Sequence, residues 1–298
     1  MNKNCSSDHQ NKCNKNCPIT KLLKKIFCKN SQASVAYLTL SGIIGKGSKI
    51  DGGLNIETAE GLLKRAFETK NIKAVAINVN SPGGSPVQSE LIFQRIRELS
   101  QEKKIPVYTF AQDLAASGGY FILSAGDEVY AHDASIVGSI GVVSASFGFE
   151  EAIKKIGVNR RVYHEGKNKA MLDPFMPESA EGVAMLKQLQ QDVFVSFKAI
   201  VRSRRGDKLK LPEDELFDGS FWSGSRAVEL GLIDKVGNMR QVMKEKFGDK
   251  VKLIAIEPKK KGMIKELLAS SFDNIGNDLA SGVVNKIEEK IEFGKFKI

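Results

Sequence analysis

The stretch DLAASGGYFIL (113–123) places Ser117 directly before Gly118 and Gly119, between Ala115-Ala116 and the apolar run Tyr120 to Leu123. Glycine is a poor helix former and permits backbone geometries closed to other residues. A serine and two glycines at a helix start therefore describe a backbone built to be approached closely. The same pattern suits a helix N-cap, a position where serine is preferred. A second glycine-rich turn, NSPGGSP (80–86), follows the apolar run KAVAINVN. Two exposed N–H groups facing one serine hydroxyl are what an oxyanion hole needs, so the chemistry these residues suggest is acyl transfer.

A serine nucleophile needs a base. Outside the N-terminal tail the histidines are His132, in YAHDAS, and His164, ending the strand-like RRVYH; each reads as a satisfied histidine near a strand end. A lysine serves once desolvation brings its ordinary pKa of about 10.4 towards neutrality. Lys169 in GKNKAMLDPF, with Ala170, Met171 and Leu172 directly after it, is the candidate, and Lys167 its competitor. Composition does not separate the two. Ser100 to Lys103 fits S-x-x-K, but lies at the charged end of a helix and reads as a solvated face. No Walker A, G-x-G-x-x-G or complete G-x-S-x-G pattern occurs, and no cofactor is expected.

The elements that must hold these residues alternate. Strands are expected over 35–44, 73–80, 105–110, 127–131 and 251–257. Helices are expected over 57–67, 86–102, 179–206 and 238–247, with short ones after Ser117 and Ser223. Such alternation implies an α/β fold, helices packed on a largely parallel sheet. The domains expected are a tail over 1–34, a main domain over 35–257 and an amphipathic C-terminal extension over 258–298.

The chain has 298 residues and a net charge of +10, yet its first 30 residues carry seven lysines against Asp8 alone. The body is only mildly basic, without the aromatic-interleaved basic face that nucleic acid requires. All four cysteines (Cys5, Cys13, Cys17, Cys28) lie in the tail, in a spacing that matches no C-x-x-C zinc pattern, so no metal is expected. A body without cysteine fits a reducing compartment. The stretch Ile19 to Cys28 is broken by three lysines, which excludes a signal-peptide core. It reads as a short basic amphipathic helix suited to peripheral contact with an anionic membrane surface. The uncharged run Ala134 to Phe149 is too short to span a bilayer. The localisation expected is cytoplasmic or peripherally membrane-associated.

Five blocks in order, NSPGGSP, AASGGYF, SIVGSIGV (135–142), GKNKAMLDPF and GSFWSGSRAVELGLIDKVG (219–237), resemble the signal peptide peptidase A (SppA)/SohB family of serine peptidases. The resemblance runs from about Val35 to Glu257 and implies the ClpP/crotonase fold of repeated β-β-α units. It implies Ser117 as nucleophile, Lys169 as general base and Ser139 as the serine orienting the lysine amine. Gly84 and Gly118 would supply the oxyanion N–H groups. Peptide substrates, among them remnant signal peptides, and a homo-oligomer enclosing the sites are implied by the same likeness. Membrane-bound relatives have an apolar N-terminal anchor, where this chain has a polar lysine- and cysteine-containing tail. Two other readings share the fold: an acyl-CoA enzyme of the crotonase type, and a peptide-binding scaffold without catalysis.

Overall fold

The computed structural model describes residues 32–45 and 53–258. Apart from their borders, the expected N-terminal tail and C-terminal extension lie outside the described residues. Strands β1 (Ser34–Ser41), β2 (Ile72–Ser81) and β3 (Val107–Ala116) pair in parallel, and β8 (Lys252–Ala255) adds to the free edge of β1. Beyond β3 stand β4 (Glu128–Ala131), joined to β7 (Lys235–Val236), and β5 (Ile136–Gly138). The strand β6 (Phe221–Ser223) runs antiparallel to β5, in a sheet whose other pairings are parallel.

Strand alternation sorts two buried layers. Ala36, Leu38 and Leu40 of β1 and Val75, Ile77 and Val79 of β2 face the larger core, together with α1 (Ile56–Glu68) and α2 (Pro86–Lys103). Val35, Ala74, Ala76 and Phe110 face the other side, covered by Val242 and Met243 of α8 (Met239–Phe247). The helices start where short polar side chains hold free amides. Asn55 and Thr58 form a capping box at α1, and Ser85 caps α2 ahead of Pro86. This is the α/β, ClpP/crotonase-like architecture that the sequence blocks imply.

One irregularity shapes the site. The pairing of β2 with β3 runs from Val75/Val107 to Val79/Ala111 and then jumps to Ser81/Ala115. β3 thus advances four residues where β2 advances two. Before this bulge β3 pairs with β4; after it, with β5. Asn80 Nδ2 donates to Asp113 Oδ2 at 3.0 Å across the extra residues. A bulge bends its strand and re-aims the residues beyond it, here the turn that carries Ser117.

The long helix α5 (Ala180–Arg205) is anchored at its end by Arg205, which is 2% exposed. Its guanidinium donates to Gly231 O and, at 2.8 Å, to Asp234 Oδ2, which also accepts from the Val129 amide. Burial pushes the Asp234 carboxyl up, but hydrogen bonds from Arg205 and Lys208 outweigh it and hold the group below the usual aspartate range. A folded pKa below the unfolded one means the stabilisation is complete above the range where free aspartate titrates. It is lost as pH falls through the folded value. Asp234→Asn leaves a buried guanidinium uncompensated, so the urea midpoint should drop by the equivalent of about 3 kcal/mol. A midpoint unchanged at pH 7 would show that the pair does not anchor α5.

Candidate active site

β3 ends at Ala116 and α3 (Gly118–Leu123) begins at Gly118, so Ser117 alone makes the turn, at φ 52 and ψ −122. Such backbone costs about 1–3 kcal/mol in a residue with a side chain and persists only where its surroundings fix it. They do so here on both sides. The Ser117 amide donates to Gly138 O at 2.8 Å, and its carbonyl accepts from the Phe121 amide at 3.0 Å. Its hydroxyl makes no capping hydrogen bond to α3. Of the two readings of this serine, the close-approach one fits and the cap does not.

The glycine-rich turns interlock. A Cβ on Gly118 would lie 2.4 Å from Ser89 Oγ, and one on Gly83 would lie 2.8 Å from both Gly118 N and Ser117 Cβ. Gly84 has φ +141, and a Cβ there would sit 2.0 Å from Ile44 O. The loop is tied to Ile44 by two hydrogen bonds, Ile44 N to Gly83 O and Ser85 N to Ile44 O. Neither the Gly84 amide nor the Gly118 amide donates to any described residue. Backbone N–H groups left free beside a serine are the parts of an oxyanion hole.

Ser117, Gly84, Gly118 and Ser139 line one cleft of about 620 Å³. Ser139 also has positive φ, 53°, and its amide donates to Ser220 O at 2.7 Å, so the residue leading into β6 holds it in place. Phe121 of α3 and Phe197 of α5 line the cleft as well, stacked at 5.0 Å between ring centroids, with Phe93 packed edge-on behind Phe121. The charged side chains lining it, among the described residues, are Glu90 and Asp218. Hydrogen bonds from the Ser220 hydroxyl and amide hold the Asp218 carboxyl below the usual range. Phe121 ends the AASGGYF block, whereas Phe197, Glu90 and Asp218 carry no motif. Asp218 stands directly before the GSFWSGS block, and that adjacency was the one signal that could have found it.

Lys169 is not among the residues lining this cleft. Its side chain is exposed, so the burial beside Met171 and Leu172 expected from the sequence is absent among the described residues. It sits on an arm between β5 and α5 that includes α4 (Glu150–Lys155), and none of residues 141–181 is buried. The stretch around RRVYH forms no strand there. Local contacts shape the arm: Phe149 stacks on Phe175 at 5.5 Å, and Arg160 pairs with Asp173. Lys167 pairs with the Glu181 carboxylate at 2.9 Å, whereas Lys169 makes no ion pair with a described residue. That distinction is beyond the reach of composition.

The other candidates have structural roles. His132 Nδ1 receives the Ala134 amide, and His164 Nδ1 lies 3.1 Å from Gly166 O; neither lines the cleft. Ser100 is buried, not on a solvated face as its sequence suggested, and donates to Ile105 O at 2.8 Å where α2 ends. No helix among the described residues is long and apolar enough to cross a membrane.

Comparison with known proteins gives the family. The model of peptidase family S49 matches residues 99–252, and that of Clp protease matches residues 29–137. A Brucella abortus protein named Na(+)/H(+) antiporter NhaA is 44% identical over 286 residues, covering 92% of this chain and 39% of that protein. The chain therefore spans about two fifths of that relative's length. The putative protease slr0021 of Synechocystis is 30% identical over 84% of this chain and 90% of its own. A putative signal peptide peptidase SppA of Enterococcus faecium is 34% identical over 59% of this chain and 50% of its own. With more than half of its residues matched by one family model and a cyanobacterial relative of similar extent, the chain belongs to peptidase family S49, in its SppA/SohB branch.

Proposed function

We propose that the chain is a serine endopeptidase acting through a Ser117/Lys169 dyad on peptides, remnant signal peptides among them. Ser117 Oγ attacks the scissile carbonyl carbon while its proton passes to the Lys169 amine. The carbonyl oxygen, now anionic, is held by the Gly84 and Gly118 amides. The peptide C–N bond then breaks as the lysine returns the proton to the departing amine, leaving an ester on Ser117. Water, deprotonated by the same lysine, attacks the ester carbon; the acyl C–O bond breaks, the lysine returns the proton to Ser117 Oγ, and the acid leaves. Ser139 orients the lysine amine. The observation that carries this reading is Ser117 held in a strained strand-to-helix turn beside two backbone amides that donate to no described residue.

Lys169 reaches Ser117 from a neighbouring copy in a homo-oligomer. What supports this is the arm. Val143, Phe147, Ile156 and Tyr163 are 73–90% exposed, and apolar surface of this extent without any core of its own calls for a partner. The same contact would cover Lys169 and supply the desolvation that the described residues of one chain do not.

A fluorophosphonate probe tests the reaction class. Stoichiometric labelling of Ser117, abolished in Ser117→Ala, is expected. Absence of labelling in the assembled protein would leave a peptide-binding scaffold as the better reading.

A further inference from the structure

The cleft runs against the charge of the chain. The protein carries +10 overall, yet no lysine, arginine or histidine lines the Ser117 cleft among the described residues, while two carboxylates do. Glu90 comes from α2, one turn after its proline start, and Asp218 from the loop leading into β6. Their partners are neutral: Glu90 Oε1 accepts from Gln94 Nε2 at 2.9 Å, and Asp218 Oδ1 from the Ser220 amide at 2.8 Å. Neither forms an ion pair with a described residue, although Glu60, Asp127 and Asp234 each pair with an arginine. Beside these carboxylates the lining is apolar, with Phe121 and Phe197 stacked and Val87 and Val143 largely exposed.

Two negative charges in a cleft where an oxyanion must form oppose that reaction unless a cation accompanies it. The lining supplies none, and the Lys169 amine that takes the Ser117 proton balances only the oxyanion, so a cationic substrate side chain is the partner that both removes the repulsion and satisfies the carboxylates. An apolar substrate side chain against the phenylalanines buries surface at the same time. We propose that Glu90 and Asp218 set the specificity of this cleft, selecting peptides that carry a cationic side chain next to an apolar one and rejecting acidic peptides. The proposal rests on the reading of the cleft as a peptidase site.

The test uses the assembled protein and matched fluorogenic peptides. They differ at one position beside the scissile apolar residue, which holds lysine, norleucine or glutamate in turn, scanned on either side of the bond. For wild type, kcat/KM is expected to fall from lysine to norleucine to glutamate, with lysine over glutamate on the order of tenfold or more at low salt. The ratio should shrink severalfold at high salt, because exposed charges are screened. In the Glu90→Gln/Asp218→Asn protein the ratio should approach one, and in Glu90→Lys/Asp218→Lys it should invert.

A flat or acid-preferring profile in wild type overturns the proposal. So does a lysine preference that survives in the neutralised variant. Fluorescence anisotropy of the same peptides on Ser117→Ala reads the charge order without hydrolysis. If wild type cleaves nothing but Ser117→Ala still binds lysine peptides more tightly, the catalytic reading fails and the charge selection stands. If cleavage occurs and neither assay shows a charge order, the selection fails and the catalytic reading stands. Should the neutralised variant fail to assemble, the salt series on wild type still decides.

Discussion

Ser117→Ala and Lys169→Met should each lower kcat/KM on a peptide substrate by about 10⁴-fold or more, and the double variant should lose little beyond either one. Nucleophile and base act as one unit, so removing either leaves only what binding and the oxyanion amides contribute. Lys167→Met should keep most of the activity, since its amine is engaged with Glu181. Within one chain neither lysine is buried, and methionine suits an apolar contact at least as well as a desolvated lysine, so both variants should keep the wild-type urea midpoint. Near-normal turnover in Lys169→Met together with a dead Lys167 variant would move the base to Lys167. A mixing experiment separates a dyad within one chain from a dyad between chains. When Ser117→Ala and Lys169→Met subunits are co-assembled, roughly one site in four at equal mixture carries both intact residues, provided they come from different copies. Activity should return towards that fraction. If the dyad lies within one chain, every site lacks one partner and mixing restores nothing.

The second large effect is at Gly84. An alanine there would put its Cβ 2.0 Å from Ile44 O, in a loop whose hydrogen bonds to Ile44 hold it from both sides, and at φ +141. The loop must swing away, and the amide it carries swings with it. Gly84→Ala should therefore cost about 2–4 kcal/mol in the urea midpoint. Activity should fall by about 10²–10³-fold, the usual loss when one oxyanion donor is removed. Gly42→Ala separates the two causes. Gly42 also has positive φ, +106, but a Cβ there meets no described atom within 4 Å. It should lose stability through strain alone and keep its kcat/KM. If Gly84→Ala folds as wild type and retains full activity, the Gly84 amide has no part in holding the oxyanion.

Much of the scaffold was determined by local pattern. β-branched runs such as KAVAINVN and the apolar spacing of ETAEGLLKRAF specify β2 and α1 within a residue or two, because burial on one face of a strand or helix repeats at fixed intervals. Capping serines and asparagines mark the starts of α2, α5 and α8 for an equally local reason. The Ser117-Gly118-Gly119 cluster announced a close backbone approach, since only glycine fits beside Ser89 as Gly118 does. What needed the tertiary structure is what depends on distant segments meeting. The jump in β2–β3 pairing that aims Ser117 is invisible in either strand, as register belongs to the pair. Phe197 and Asp218 reach the cleft from elements far along the chain, and Lys167, in a turn of the arm, is set apart from Lys169 by an ion pair with Glu181 on α5. The apolar arm around Lys169 is the limiting case. Its residues resemble those of a core, yet the described residues hold no core for them to join, because burial is a property of the surroundings and not of the residue type.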